Sequence, residues 1–244
     1  MTTEDPGTMV LLSDAGIDLA AHRQRLREAG RTQIRPALRD EAAARVRAAA
    51  EQAPFRLSVN SGAKSLDLSL EELATLQPEQ AAKFTELVHA GAAAGFQYCF
   101  DTYRLSDEVD AGRLTAGPLA ELYRALNAPP FLQHCRQLAD DDTIAFCDAQ
   151  VTRYRPGHFL TMHNDDVAGK GRVMAFVLNL TPDWRADWGG LLLFHGADGN
   201  VDGGFTPAFN ALNLFKIPCD HSVSLVAPFA PQPRYAVTGW ARRK

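Results

Sequence analysis

Residues 163–165 of this 244-residue chain read His-Asn-Asp, and a second histidine stands at 221. In an extended strand, residues i and i+2 share a face, so His163 and Asp165 are expected to present an imidazole and a carboxylate side by side. His221 follows Asp165 by 56 residues, in a later strand-rich stretch. Two imidazoles and a carboxylate can cap one face of an octahedral ferrous ion and leave positions open for reactants. The same donors also suit zinc, and an H-x-D triplet alone is a weak pattern.

Arg234 opens the segment P-R-Y-A-V-T-G-W at 233–240. Alternation sets Arg234, Ala236, Thr238 and Trp240 on one face, and Tyr235, Val237 and Gly239 on the other. An arginine facing a core needs an anion, because an unpaired buried charge is very costly. No acid lies on that face, so a bound carboxylate is the expected partner, with the Thr238 hydroxyl adding a hydrogen bond. The plainer alternative is a solvent-facing arginine on an edge strand.

The elements that must position these residues change character near residue 143. Before it, amphipathic helical patterns are expected over 14–29 and 37–52. Ser69 with Glu72 resembles a capping box, and Pro78 suits the first turn of a helix ended by Gly91 or Gly95. Further helices are expected over 118–127 and from Pro129–Pro130 to about Asp140. After residue 143 the period becomes two, with strands expected near 144–155, 158–164, 172–181, 190–195, 208–217, 221–227 and 233–242. Such spacing suggests an antiparallel jelly roll. The expected organisation is therefore residues 1–142, mostly helical, packed on a mainly β core at 143–244, as one compact unit. The stretch 99–118 reads as a solvated connection.

Hydrophobic residues make up 46% and charged residues 22%, ordinary values for a chain with a sizeable core. A net charge of -4 without a long run of one sign gives no reason to expect a nucleic-acid or membrane partner. Cys99, Cys135, Cys147 and Cys219 form no C-x-x-C pair, and reduced thiols are expected. The acidic N-terminus lacks the pattern of a secretory signal, so a cytoplasmic protein is expected. The oligomeric state is left open.

The order H-x-D, then histidine, then arginine 13 residues on resembles the 2-oxoglutarate/Fe(II) oxygenases, and among them the protein prolyl hydroxylase branch. The likeness spans roughly 146–242. It rests on R-Y-R-P-G-H-F-L-T-M-H-N-D-D-V, G-R-V-M-A-F-V-L-N-L-T-P-D-W, W-G-G-L-L-L-F, F-T-P-A-F-N-A-L-N-L-F and R-Y-A-V-T-G-W together. It implies a double-stranded β-helix and, as catalytic metal ligands, His163, Asp165 and His221 around Fe(II). Arg234 matches the residue pairing with the distal carboxylate of 2-oxoglutarate, and Thr238 its hydroxyl-bearing neighbour. Tyr154 matches a tyrosine that hydrogen-bonds the co-substrate, Leu192 an apolar wall of its pocket, and Trp240 a substrate-side aromatic at the mouth.

Where that branch usually has a tyrosine, this chain has Asn179, expected to donate to the carboxylate from a shorter reach. By the same likeness, 99–118 falls where the family has a mobile substrate-covering loop. O2 is the other co-substrate, with ascorbate as reductant. The implied reaction is hydroxylation of a prolyl residue in a protein, with translation-associated proteins among the candidate substrates. The alternatives are a hydroxylase of a free amino acid or other small molecule, and a non-catalytic metal-binding jelly-roll module.

Overall fold

The computed structural model describes residues 9–12, 16–62 and 64–244. Residues 1–8, and the first two residues of the helix expected over 14–29, lie outside them. That helix, α1, runs Leu19–Ala29, because the Asp18 carboxylate accepts from the Ala21 N–H and Gly30 ends it with φ of 68°. It leads into the short strand β1, Arg31–Ile34, and then α2, Asp40–Glu51. A hairpin of β2 (Arg56–Ser61) and β3 (Lys64–Ser69) follows. Helix α3, Leu70–Ala74, is capped by Ser69, whose hydroxyl accepts from the Glu72 N–H. Helix α4, Pro78–Ala94, starts at its proline and stops at Gly95.

Strand β4 (Tyr98–Tyr103) and helix α5 (Leu105–Asp110) occupy most of what the sequence suggests is a connection or mobile loop. The reason for the difference is burial with paired charge. Cys99, Phe100 and Thr102 are buried, and the carboxylate of fully buried Asp101 is ion-paired with Arg153 (2.7 Å) and Arg155 (2.8 Å). The charges that look solvated in the sequence are thus satisfied inside. Helices α6 (Pro118–Leu126) and α7 (Pro129–Ala139) then precede the barrel strands.

Those strands are β5 (Phe146–Tyr154), β6 (Phe159–His163), β7 (Arg172–Asn179), β8 (Leu192–His195), β9 (Val201–Phe205), β10 (Ala211–Lys216), β11 (His221–Val223) and β12 (Arg234–Arg242). They form two antiparallel four-stranded layers, β10-β7-β12-β5 and β6-β11-β8-β9. Strand β4 joins the layers, pairing with β5 through Asp101–Tyr103 and with β6 through Tyr98 and Cys99. This is the jelly roll expected from the strand spacing, enlarged by β1 beside β10 and by β2–β3 beside β4.

The two faces of β12 show why the barrel has an inside. Tyr235, Val237 and Ala241 join the core formed with Val46 of α2, Leu122 of α6 and Leu138 of α7. Ala236 faces the other way, into a cluster with Val177, Leu192, Phe194 and Phe215. Each fully buried leucine in the helix-side core contributes about 2 kcal/mol of transfer free energy. The helices therefore cover the outer face of the large layer and leave its inner face to the site. Among the described residues, no helix is long and apolar enough to cross a membrane.

Candidate active site

His163, the last residue of β6, and His221, the first of β11, are register partners, with ring centroids 4.1 Å apart. A β-bulge interrupts the pairing between His221 and Val223. Asp165 does not lie in the strand, contrary to the i, i+2 expectation. It sits two residues beyond β6 with φ of 62°, a left-handed conformation that Asp and Asn adopt more readily than other non-glycine residues. The turn brings its carboxylate back between the imidazoles. Oδ1 is 3.5 Å from Nε2 of His163, and Oδ2 is 3.5 Å from Nε2 of His221.

The three side chains form a cluster whose ligand atoms all lie within 4.8 Å of one another. Each histidine has its other ring nitrogen engaged. Nδ1 of His163 donates to the Thr161 carbonyl at 3.0 Å, and Nδ1 of His221 to the Cys219 carbonyl at 2.7 Å. This fixes the tautomers and leaves both Nε2 lone pairs facing Asp165. Burial holds His221 down at about 4, reinforced by the neighbouring His163, so its imidazole is neutral at physiological pH. For Asp165, burial acts upward, but its contact with His163, helped by His221 and the Trp240 N–H, outweighs it and the carboxyl falls to about 2.

From outside the cluster, Nε1 of Trp240 donates to Asp165 Oδ2 at 2.9 Å, and Nη1 of Arg172 lies 3.2 Å from Oδ1. Trp240 was expected at the pocket mouth on the substrate side; the structure places its indole N–H on the carboxylate. Arg172 was missed entirely, since no pattern in the sequence marks the first residue of β7.

Arg234, the first residue of β12, lies opposite Tyr154 of β5, with its guanidinium 5.3 Å from the tyrosine ring. The side chain is 2% exposed, which rules out the solvent-facing alternative. Its Nε and Nη1 are buried without a hydrogen-bond partner, and no ion pair to it occurs among the described residues. Burial lowers its pKa to about 10. Tyr154 is pushed up by burial, lowered by Arg234 and raised by Asp165, so its hydroxyl feels both ends of the site. Gly190 makes room: a Cβ there would stand 3.3 Å from Arg234 Cδ and 3.2 Å from Val226 Cγ2, and its φ is 62°.

Asn179 corrects another expectation. Its Nδ2 donates to the carbonyls of Ala211 (3.1 Å) and Val177 (3.4 Å), and its Oδ1 accepts from Nη2 of Arg234 at 3.5 Å. The amide oxygen turns to Arg234 because a guanidinium only donates. No amide N–H is left for a bound carboxylate.

Leu192, 2% exposed, packs in the interior cluster, and Thr238 lies on the Arg234 face of β12. A wall missed from the sequence comes from β4 and the residues before it. Ring contacts run from Phe96 beside His163 (5.5 Å) through Tyr98 (5.6 Å) and Phe100 (5.5 Å) to Tyr154, stacked on Phe100 at 5.0 Å. The alternating aromatics of F-Q-Y-C-F at 96–100 were the available signal. His158 and His195 stand apart from the triad: His158 is buried with Nδ1 unpartnered, and His195 bonds the Ser222 hydroxyl at 2.8 Å.

The donor set fits a ferrous ion: two imidazole nitrogens and one carboxylate, with ligand atoms within 4.8 Å of one another. The unpartnered N–H groups of buried Arg234 fit a carboxylate as their partner.

Comparisons with known proteins agree with this chemistry. Residues 149–242 match the family model of the 2OG-Fe(II) oxygenase superfamily. A search of curated proteins finds no match. Among solved structures, the chain resembles a prolyl-4-hydroxylase from Pseudomonas putida, at 18% identity and a TM-score of 0.60, over 93% of this chain and 99% of that one. A prolyl hydroxylase from Trichoplax adhaerens, in complex with a hypoxia inducible factor peptide fragment, is similar at 15% identity and a TM-score of 0.61, over 95% and 94%. The non-heme alpha ketoglutarate dependent epimerase SnoN from nogalamycin biosynthesis also matches, at 13% identity and a TM-score of 0.57, over 91% and 80%. At these identities the likeness establishes a common fold. The barrel stretch at 149–242 is the part of this chain that matches the 2OG-Fe(II) oxygenase superfamily. Its class is that of the 2-oxoglutarate- and Fe(II)-dependent dioxygenases, with Fe(II) as metal and 2-oxoglutarate and O2 as co-substrates.

Proposed function

We propose that His163, Asp165 and His221 bind the Fe(II), that Arg234 anchors the distal carboxylate of 2-oxoglutarate, and that the enzyme hydroxylates a prolyl residue of a protein. The observation that carries the site assignment is the pairing of a three-donor cluster with a buried, acid-free arginine in one barrel. Bound Fe(II) and 2-oxoglutarate supply O2 activation, with decarboxylation to succinate and CO2. The residues of the chain position and shield. The two Nδ1–carbonyl bonds hold the imidazoles in the metal-binding tautomer. Arg234 fixes the co-substrate's far end, where Tyr154 can add a hydroxyl. Leu192, Val177 and Phe194 keep water from the chain between its ends. Thr238 is assigned the secondary contact to the anchored carboxylate.

Support for a prolyl substrate comes from the sequence resemblance and from the two similar prolyl hydroxylase structures, one of them holding a peptide. A translation-associated protein as substrate, a cytoplasmic setting and ascorbate as reductant belong to the same reading. A small-molecule substrate is the second reading, favoured by the similarity to an epimerase.

The test has two arms. Purified protein with Fe(II) and 2-oxoglutarate is expected to form succinate slowly without substrate, and His163→Ala is expected to abolish this. Full activity in that variant overturns the site assignment, and no turnover in the wild type favours a non-catalytic module. Mass spectrometry of wild-type and deletion lysates is expected to show one added oxygen on a proline of a protein. An oxygen added only to a free small molecule selects the second reading.

A further inference from the structure

We propose that Trp240 and Arg172 are positioning residues for Asp165, holding its carboxylate where the two histidines can share a metal with it. This inference rests on the assignment of the triad as the metal site.

Asp165 lies beyond the end of β6, so no strand pairing fixes it, and its left-handed backbone is a conformation that other contacts must hold. Those contacts come from the opposite layer of the barrel. Nη1 of Arg172 reaches both the Asp165 carbonyl (3.3 Å) and Oδ1 (3.2 Å), tying backbone and side chain together. Trp240 takes the other oxygen with its indole N–H at 2.9 Å. Each carboxylate oxygen therefore has its own donor, and the plane of the group is set.

The two donors also brace each other, because the Arg172 guanidinium lies 3.5 Å from the Trp240 ring centroid. Neighbouring strands carry them: β7 and β12 pair with Trp240 opposite Ala175 and, past a register shift after Ala241, Arg242 opposite Arg172. The clamp thus fastens the loop after β6, in the small layer, to the large layer, where the Arg234 anchor also sits. Outer contacts of this kind are commonly worth a factor of about 10 to 100 in metal affinity.

Trp240→Phe tests the proposal because it keeps a ring under Arg172 and removes only the N–H. Anaerobic calorimetric titration with Mn(II) is expected to show affinity lowered about tenfold. The visible d–d absorption of the Co(II)-loaded variant is expected to shift from the wild-type envelope. Arg172→Met is expected to weaken Mn(II) binding further, and Arg172→Lys to restore part of it. Thermal melting of the metal-free proteins confirms folding, and either position tests the inference if the other variant fails to fold. Wild-type Mn(II) affinity and an unchanged Co(II) spectrum in a folded Trp240→Phe, or in a folded Arg172→Met, would overturn the positioning role while leaving the triad standing. A wild-type protein that binds no Mn(II) overturns the triad assignment itself, and this inference with it.

Discussion

His163 and His221 face each other across β6 and β11 as register partners, with imidazole centroids 4.1 Å apart. Two of the three proposed metal ligands are thus fixed by one rung of a β ladder, and only Asp165 depends on a loop. A single ladder position tolerates little slip, since a shift of one residue would turn a histidine to the other face. The barrel therefore presents both Nε2 atoms before any metal arrives.

Arg234 is the group whose removal separates co-substrate binding from metal binding. Arg234→Ala is expected to raise the 2-oxoglutarate requirement tenfold to a hundredfold, since charged hydrogen bonds are worth roughly 1.5–3 kcal/mol each. Mn(II) affinity should stay near the wild-type value. Succinate formation at varied 2-oxoglutarate, with calorimetry beside it, measures both. An unchanged requirement reassigns the anchor.

Asn179 offers Arg234 a neutral carbonyl at 3.5 Å and uses its Nδ2 on backbone carbonyls. Asn179→Asp would place an anion against the guanidinium and compete with the co-substrate. The 2-oxoglutarate requirement is expected to rise about tenfold or more in Asn179→Asp and distinctly less in Asn179→Ala. Equal effects would show that volume, and not charge on Arg234, is what position 179 controls.

A pH prediction follows from His158, 7% exposed and held at about 4 by burial, against an ordinary 6.5. The folded protein keeps this imidazole neutral while the unfolded chain takes up a proton. The unfolded state binds more protons between pH 6.5 and 4, so stability falls as pH falls through that window and is unaffected above it. The loss attributable to His158 reaches about 3 kcal/mol. Urea unfolding of wild type and His158→Leu from pH 7 to 4 is the check. The gap between the two proteins should shift in favour of the variant on acidification. A constant gap would mean that His158 takes up its proton as readily in the fold as in the unfolded chain.

Much of the barrel was legible because its strands alternate and its turns carry Pro-Gly and Gly-Gly signals. The triad and Arg234 were legible as residue types in a chain order, and Arg234 was conspicuous because it stands on a face that otherwise reads as core. What failed was local. Asp165 was placed by strand periodicity, whereas a left-handed turn brings it into the site. Strand β4 was hidden because Asp101 looks like a loop charge until Arg153 and Arg155 are brought across from another strand. Strand β1 has only four residues, and β9, Val-Asp-Gly-Gly-Phe, has no periodicity to read. The β2–β3 hairpin carries alternation around Ser61–Gly62, a signal the sequence reading overlooked. Arg172, and the bond from Trp240 to Asp165, depend on how two layers meet, which no single segment encodes.

The central claim is that one barrel brings a metal and a dicarboxylate between these four side chains. Crystals grown anaerobically with Mn(II) and 2-oxoglutarate test it most directly, through the anomalous signal of the metal. The expected map shows Mn(II) bonded to Nε2 of His163, the Asp165 carboxylate and Nε2 of His221, with the far carboxylate of 2-oxoglutarate hydrogen-bonded to the Arg234 guanidinium. A metal bound elsewhere, or a co-substrate whose far carboxylate leaves Arg234 unpaired, would contradict the account.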